Sequence, residues 1–275
     1  MPILPPTAMP IGAYHGSAPE WLSKTSIRDF LGHGPAWWHK AYIAKTVKKP
    51  IPDGVEQGQA LDCYLTEGAA TFAERYVVKP EGLDGRTKEG KAWLSGLGDR
   101  IAISAKDHAI LQDAVEAVRR CVCWPDIERA QAQLTIRRSV AGLGGGLQAR
   151  PDWLDLERGA LFFDLKKTRD LDRFGNQAID LGYHLQAAVA KWCLQGDGIQ
   201  MGPAMLIAVE WEPGARCVPF EIPEWAIDEG EKQMREGAGR IIGHLQANCW
   251  NNPVEQPRPL EIPEWRRRRM MEGAA

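Results

Sequence analysis

Ala160-Leu161-Phe162-Phe163-Asp164-Leu165-Lys166-Lys167-Thr168 is a strand-like run in which two aromatic residues lead straight into an acid and two lysines. Two similar runs precede it, Ala132 to Val140 and Leu147 to Leu156, the second carrying Arg150-Pro151-Asp152. The glycine-rich turn signal at 142–146 and Glu157-Arg158-Gly159 separate the three, so the pattern predicts a meander of three strands. A helix of about five turns is expected from Phe174 to about Leu194. Apolar strands should follow at Ala204–Glu210 and Cys217–Ile222, then a helix opening at Pro223.

Working outward, the first half reads as mainly helical. Ser23 is placed to cap a helix over Lys24–Leu31, which Gly32 to Gly34 end before a second helix opens at Pro35. The segment from Lys45 to Pro52 reads as a loop, Val55 to Glu67 as a third helix, and 80–92 as mobile and moderately basic. Ser104 should cap a longer helix ending near Cys121, with Ala109, Leu111, Val115 and Val118 supplying much of its apolar face. The expected architecture is α/β, a central mixed β-sheet flanked by helices, as one domain over 1–250 with a helical N-terminal part over about 14–125. The Pro- and Arg-rich tail, 251–275, is expected to be extended or partly disordered. No internal repeat is apparent.

With 34 basic and 36 acidic residues, any nucleic-acid partner would have to be held by local charge rather than by a basic protein as a whole. No stretch approaches a membrane-spanning length, and no basic then apolar leader opens the chain. A cytoplasmic location with reduced thiols is the expectation for its six cysteines, which show no CxxC pair. The wide spacing of Cys193, Cys217 and Cys249 argues against an iron–sulfur cluster.

The chemistry concentrates in Asp152 and Asp164–Lys166. Twelve residues separate the two acids on consecutive expected strands, and a hairpin can bring them together. Aspartate oxygens are hard ligands suited to Mg²⁺, with Mn²⁺ a natural substitute, and the Leu165 carbonyl is a further oxygen of the same kind. Lys166 lies two positions after Asp164, so the strand period of two sends both side chains to one face. An ammonium beside a metal can orient or help deprotonate the attacking water and offset charge on a phosphate. So short a pattern also occurs as ordinary surface, but Phe162-Phe163 imply a buried strand delivering its carboxylate where charge must be compensated. Tyr183 and Gln186, at i and i+3, can share a helix face turned back over the acids, or be a core aromatic and its polar neighbour. His184 lies off that face and reads as structural.

At these residues the sequence resembles the RecE-type (exonuclease VIII-like) nucleases of phages and prophages, a branch of the PD-(D/E)XK superfamily. The resemblance spans most of the chain. It begins with Tyr14-His15 and Leu22-Ser23-Lys24-Thr25, and runs through Gly58-Gln59-Ala60-Leu61-Asp62-Cys63 with Glu67, then Arg86-Thr87 and Gly90-Lys91. It is sharpest at Arg150-Pro151-Asp152, at Asp164 to Thr168, at Phe174, and at Tyr183-His184-Leu185-Gln186. It implies a PD-(D/E)XK core, two-metal hydrolysis, digestion of double-stranded DNA ends, a ring-shaped homo-oligomer and a single-strand annealing protein as companion.

Carried over residue by residue, Asp152 and Asp164 are metal-binding acids, Lys166 the catalytic lysine, and Tyr183 with Gln186 the supporting motif. The resemblance breaks at one point: in the helix of GxAxHxxxxE form, the family's histidine ligand is Asp62 here. Aspartate can still ligate Mg²⁺, with altered metal preference or lost activity as the alternatives. Glu67, five residues on, would need help from the fold to share a site. For DNA backbone contact the candidates are Arg86, Lys88, Lys91, Lys167, Arg169 and Arg173, each equally readable as solvated surface. Trp37 and Trp38 are base-stacking candidates for which core burial is the commoner use. Arg266 to Arg269 form a run that docks on DNA outside the cleft or stays solvated. A DNA-end-binding scaffold and a PD-(D/E)XK endonuclease are the competing readings.

Overall fold

The computed structural model describes residues 3–49, 54–254 and 260–272. Strand β1 (Ile3–Leu4), helix α1 (Ile11–Gly16), β2 (Trp21–Leu22) and α2 (Lys24–Trp38) open the chain. They lead to α3 (Val55–Asp62), α4 (Ala69–Arg75), β3 (Tyr76–Val78), α5 (Lys88–Ser95), β4 (Ile101–Ile103) and α6 (Ala105–Arg119). After α7 (Trp124–Ile127) come β5 (Gln131–Ala132), β6 (Thr135–Ser139), β7 (Gly146–Ala149), β8 (Trp153–Asp155) and β9 (Leu161–Thr168). The chain ends through α8 (Phe174–Asp180), α9 (Tyr183–Gln195), β10 (Ala204–Glu210), β11 (Cys217–Glu221), α10 (Glu224–Ala247) and α11 (Glu264–Glu272).

The fold is mixed α/β. Its five-stranded sheet has the order β11-β10-β9-β8-β5, in which only β9 and β10 run parallel. A parallel pair needs a crossover, and α8 and α9 supply it. β10 is apolar and buried along nearly its whole length because both faces of the sheet are covered. Leu206 and Ala208 face a core built with α9 and α10, whereas Ile207 and Val209 face a second core built with α6. The same alternation divides β9, sending Phe162 to the first core and Phe163 and Leu165 to the second. Asp164 and Lys166 therefore fall on the Phe162 side, under α9.

The strand region corrects the expected meander. The run Leu147–Leu156 is not one strand, because it breaks between β7 and β8, which belong to different sheets. β7 pairs with β6 in a four-stranded sheet of order β1-β6-β7-β2, while β8 pairs with β9. Pro151, at the break, has no N–H for a ladder. The preceding run breaks at the same level, between β5 and β6, where Gln133 adopts φ 55° and donates its N–H to the Asp152 carbonyl at 2.9 Å. Both strands thus pass from one sheet to the other side by side.

The helix expected over Phe174–Leu194 is two helices. Gly182, at φ 69° and ψ 38°, starts α9 from a left-handed conformation that glycine adopts without strain. Gly34, at φ 79°, interrupts α2 where a break is expected, and the chain then continues in a wider π turn, His39–Ile43. The third helix extends likewise through a π turn, Cys63–Glu67. Ser104 caps α6, its Oγ accepting the Asp107 N–H at 2.9 Å. Ile110 fills the buried position on that helix, and Ala109 is exposed.

The tail is helical over α11 instead of extended, and it discloses a repeat. The pentapeptide opening α10, Glu221-Ile222-Pro223-Glu224-Trp225, recurs as Glu261-Ile262-Pro263-Glu264-Trp265 opening α11. In both copies the proline carbonyl accepts the first two helical N–H bonds. Ile222 is buried at 7% exposure and Ile262 is 43% exposed. The expected loop Lys45–Pro52 and the tail lie partly outside the described residues.

Candidate active site

Asp152 stands at the passage from β7 to β8, where its carboxylate reaches sideways to β9. The Leu165 N–H donates to Asp152 Oδ2 at 2.6 Å. In an extended strand the N–H and C=O of one residue point to the same edge, so the Leu165 carbonyl is turned to the Asp152 side too. Asp62, at the end of α3, joins from across the gap. The Gln133 side-chain amide donates to Asp62 Oδ1 at 3.1 Å and to Asp152 Oδ1 at 3.3 Å. Arg150 fixes that amide by donating its Nε–H to Gln133 Oε1 at 2.8 Å, and its other end donates to the Met9 carbonyl at 2.8 Å.

Asp164 is 1% exposed. Gln186 of α9 donates to its Oδ1 at 2.8 Å, and the Lys166 ammonium contacts its Oδ2. Tyr183 lies beneath two lysines, with Lys166 Nζ 4.6 Å and Lys24 Nζ 5.2 Å from its ring centroid. The expected pairing of Tyr183 and Gln186 on one face holds, and Gly182 is what aims it. His184, buried, bonds Gln233 of α10 at 3.2 Å through Nε2 and takes no part in the cluster.

One buried carboxylate, Asp164, and two half-buried ones, Asp62 and Asp152, face few cations and leave the cluster short of positive charge. Burial, then Asp164, pushes Asp62 up to about 6. Asp152 is raised well above the carboxylate range by burial and by Asp164 and Asp62. For Lys166 burial works against the charge, but Asp164 and Asp152 outweigh it and hold the ammonium above the ordinary lysine range. Lys24 goes the other way, pushed down to about 7 by burial and by Lys166.

Among the described residues no three His, Cys, Asp or Glu side chains converge closely enough to hold a metal ion as they stand. Asp164 is engaged by Lys166 and Gln186, and Asp62 and Asp152 share the Gln133 amide. The donor chemistry nonetheless fits a hard divalent cation: two carboxylates already meet around one electropositive group, and the Leu165 peptide edge faces the same gap.

Two cavities meet at these acids. One, of about 260 Å³, is lined by Tyr14, Lys24, Gln133, Arg150, Asp62 and Asp152 among others. The other, of about 300 Å³, shares Gln59, Asp62 and Asp152 and adds Leu165, Lys166 and Lys167. Lys167 also borders a third, of about 430 Å³, with Arg169 and Arg173. The acids therefore sit in a groove with cations at both ends. Lys167 donates to Gln57 Oε1 at 2.8 Å and lies over the Trp211 ring.

Other sequence candidates stand apart from the acids. Arg86 is paired with Asp84 at 2.9 Å, and Lys88 and Lys91 are exposed on α5. Glu67 makes a two-pronged bond to Arg75 at 2.7 and 2.8 Å. Trp38 is fully buried, its indole N–H donating to the Ser26 carbonyl at 2.8 Å and its ring stacking on Trp250. Trp37 packs against His33 at 4.3 Å between ring centroids. Gln133, Arg150, Tyr14 and Lys24 were given no role from sequence. The last three lie inside stretches that carry the family resemblance, whereas nothing in the sequence marks Gln133.

The fold and site define a mixed α/β protein with a carboxylate and lysine centre at the junction of two sheets. Its structure is similar to that of a Eubacterium rectale protein described as a candidate exonuclease, with TM-score 0.58 at 13% identity over 87% of this chain and 91% of that one. A phage-related exonuclease of Haemophilus somnus 129PT aligns over 62% of this chain and 90% of its own at 13% identity, with a TM-score of 0.29 that bears no weight. No family model matches the sequence, and no curated protein matches it. Among the described residues no helix is long and apolar enough to cross a membrane.

Proposed function

We propose that this chain is a metal-dependent exodeoxyribonuclease of the PD-(D/E)XK type that hydrolyses phosphodiester bonds from double-stranded DNA ends. One observation carries the reading. Asp62, Asp152 and Lys166 line a groove, with Asp164 buried behind Lys166, and the two ends of that groove carry Lys24 and Arg150 on one side and Lys167, Arg169 and Arg173 on the other. Cations along a groove suit a phosphate backbone, and acids at its floor suit the metal that hydrolysis needs.

Asp62, Asp152, Asp164 and the Leu165 carbonyl would hold Mg²⁺, with Mn²⁺ as a substitute. When bound, the metal supplies an activated water and charge neutralisation at the leaving oxygen. Lys166, held protonated by Asp164 and Asp152, orients the water and donates to the phosphate. Tyr183 presents its ring to both lysines, and Gln186 fixes the Asp164 carboxylate. Polarity from 5′ to 3′, a ring-shaped homo-oligomer, a single-strand annealing partner and a cytoplasmic, phage-type recombination role rest on the family resemblance.

The test is digestion of linear duplex DNA with Mg²⁺, Mn²⁺ or EDTA, with end label for polarity and circular plasmid alongside. Lys166→Ala should lower the rate by about 10²- to 10⁴-fold while end binding persists, and plasmid should survive. Cut plasmid would favour an endonuclease. End binding without digestion under either metal would make the chain a scaffold, consistent with acids that do not converge on one point.

A further inference from the structure

Two neighbouring cysteines, Cys121 and Cys123, meet a third that is distant in sequence, Cys217, where α6 ends. The Cys121 N–H donates to the Val118 carbonyl at 3.0 Å, and the Trp124 N–H donates to the Cys121 carbonyl at 2.9 Å. The Asp126 and Ile127 N–H groups both donate to the Cys123 carbonyl at 3.0 Å. This tight turn holds Cys121 and Cys123 beside the core that α6 shares with the five-stranded sheet. Cys217 is the first residue of β11 and pairs with Val209 of β10. α6 lies against both strands, and Cys123 and Cys217 border the buried cluster containing Val115, Val118 and Val209.

Beside that cluster the Cys121 thiol, itself buried, is in hydrogen-bonding reach of both Cys217 and Cys123. Its two neighbours act as donors and favour its thiolate. Cys217 is raised chiefly by its bond to Cys121, Cys123 is pushed up to about 11 by burial and by Cys121, and Cys121 itself is pushed down to about 6 chiefly by the Cys217 bond. A thiolate with a thiol at its side is the pairing that oxidative closure needs. The remaining cysteines are elsewhere, with Cys63 and Cys193 buried and Cys249 exposed.

We propose that Cys121 and Cys217 form a reversible oxidation site, a thiol pair at the α6–β11 contact that closes to a disulfide on reaction with hydrogen peroxide. The Cys121 sulfur attacks the peroxide oxygen, the O–O bond breaks, and Cys121 becomes a sulfenic acid as one water leaves. The Cys217 sulfur then displaces hydroxide from that sulfenic sulfur, forming the S–S bond and releasing a second water. Two thiols are oxidised by two electrons and one peroxide is reduced. The bond would tie the last turn of α6 to the strand at the edge of the sheet.

The full chain, metal-free, is treated with one equivalent of hydrogen peroxide, alkylated, digested without reductant and mapped by mass spectrometry. The expected product loses two of its six thiols, joins Cys121 to Cys217, and returns to six on addition of a dithiol. Cys123→Ser should keep the cross-link and Cys121→Ser should prevent it. A cross-link from Cys121 to Cys123, loss of the bond in Cys123→Ser, or unreacted Cys121 in wild-type protein would each overturn the assignment. Wild-type mapping alone decides the matter if Cys121→Ser does not fold. The readout is chemical, so it stands or falls apart from the nuclease reading.

Discussion

Gln133 and Asp152 are bound to each other twice, by the Gln133 backbone N–H to the Asp152 carbonyl at 2.9 Å and by the Gln133 amide to Asp152 Oδ1 at 3.3 Å. The same amide nitrogen reaches Asp62 at 3.1 Å. A neutral donor thus bridges two half-buried acids on different elements, in the position where positive charge is wanted. Gln133→Ala removes that donor and leaves both carboxylates facing each other. In EDTA the loss should be about 1–3 kcal/mol, and Mg²⁺ should restore more stability to the variant than it adds to the wild type. Thermal unfolding with and without Mg²⁺ measures both. An unchanged melting temperature in EDTA would mean the amide does not hold the site.

Asp62 ties the site to pH. Its folded value of about 6 lies above the ordinary 3.8, so the native state disfavours its charge. The metal-free protein should lose stability as pH rises from about 4 through 6, by an amount on the order of 2–3 kcal/mol. Asp62→Asn lacks the titrating group and should melt higher than wild type at pH 7 in EDTA, with less gain from Mg²⁺. Equal melting temperatures across pH 4 to 7 would remove Asp62 from the cluster.

Much of this arrangement was legible in the chain. β9 announces itself by Phe162-Phe163 before Asp164, and the period of two places Lys166 with it. The passage between sheets was not legible, because Leu147–Leu156 and Ala132–Val140 each read as one continuous strand and only pairing shows that both change sheets at Gln133 and Pro151. Local sequence records propensity, whereas the switch depends on which partner lies alongside. Gln133 escaped for the same reason, since its importance comes wholly from Asp62 and Asp152, whose nearness depends on the fold. Gly182 divides the expected Phe174–Leu194 helix because it takes a left-handed conformation, and a lone glycine inside a helical pattern does not reveal that by itself.

Glu210 supplies a stability test outside the acid cluster, at the far end of β10. It is 3% exposed, and Arg216 donates to both its oxygens, at 2.6 and 2.8 Å, which chiefly holds its carboxyl below the usual glutamate range. A depressed acid stabilises the fold above its unfolded value and loses that contribution as pH falls through the folded one. Stability should therefore decline as the solution is acidified below about pH 4.5. Glu210→Gln should melt lower than wild type at pH 7 and show a shallower acid decline. Coincident pH profiles would assign the decline to other acids.

Lys24 offers the sharpest test of the groove as a phosphate-binding surface. It approaches the same Tyr183 ring as Lys166 and is half-protonated near pH 7 in the metal-free protein. As a phosphate contact it should add affinity for duplex ends below that pH and lose the contribution above it. Lys24→Ala should weaken end binding in EDTA several-fold at pH 6, reduce the salt dependence by about one counterion, and differ little from wild type at pH 8.5. Lys91→Ala, on the exposed face of α5, is the contrast, because it should change affinity equally at both pH values if it acts at all. Titration of end-labelled duplex by anisotropy at the two pH values decides between them. A Lys24 effect that does not vary with pH would mean that phosphate binding keeps this lysine charged throughout, and no effect at either pH would move the DNA path to the Lys167, Arg169 and Arg173 end of the groove.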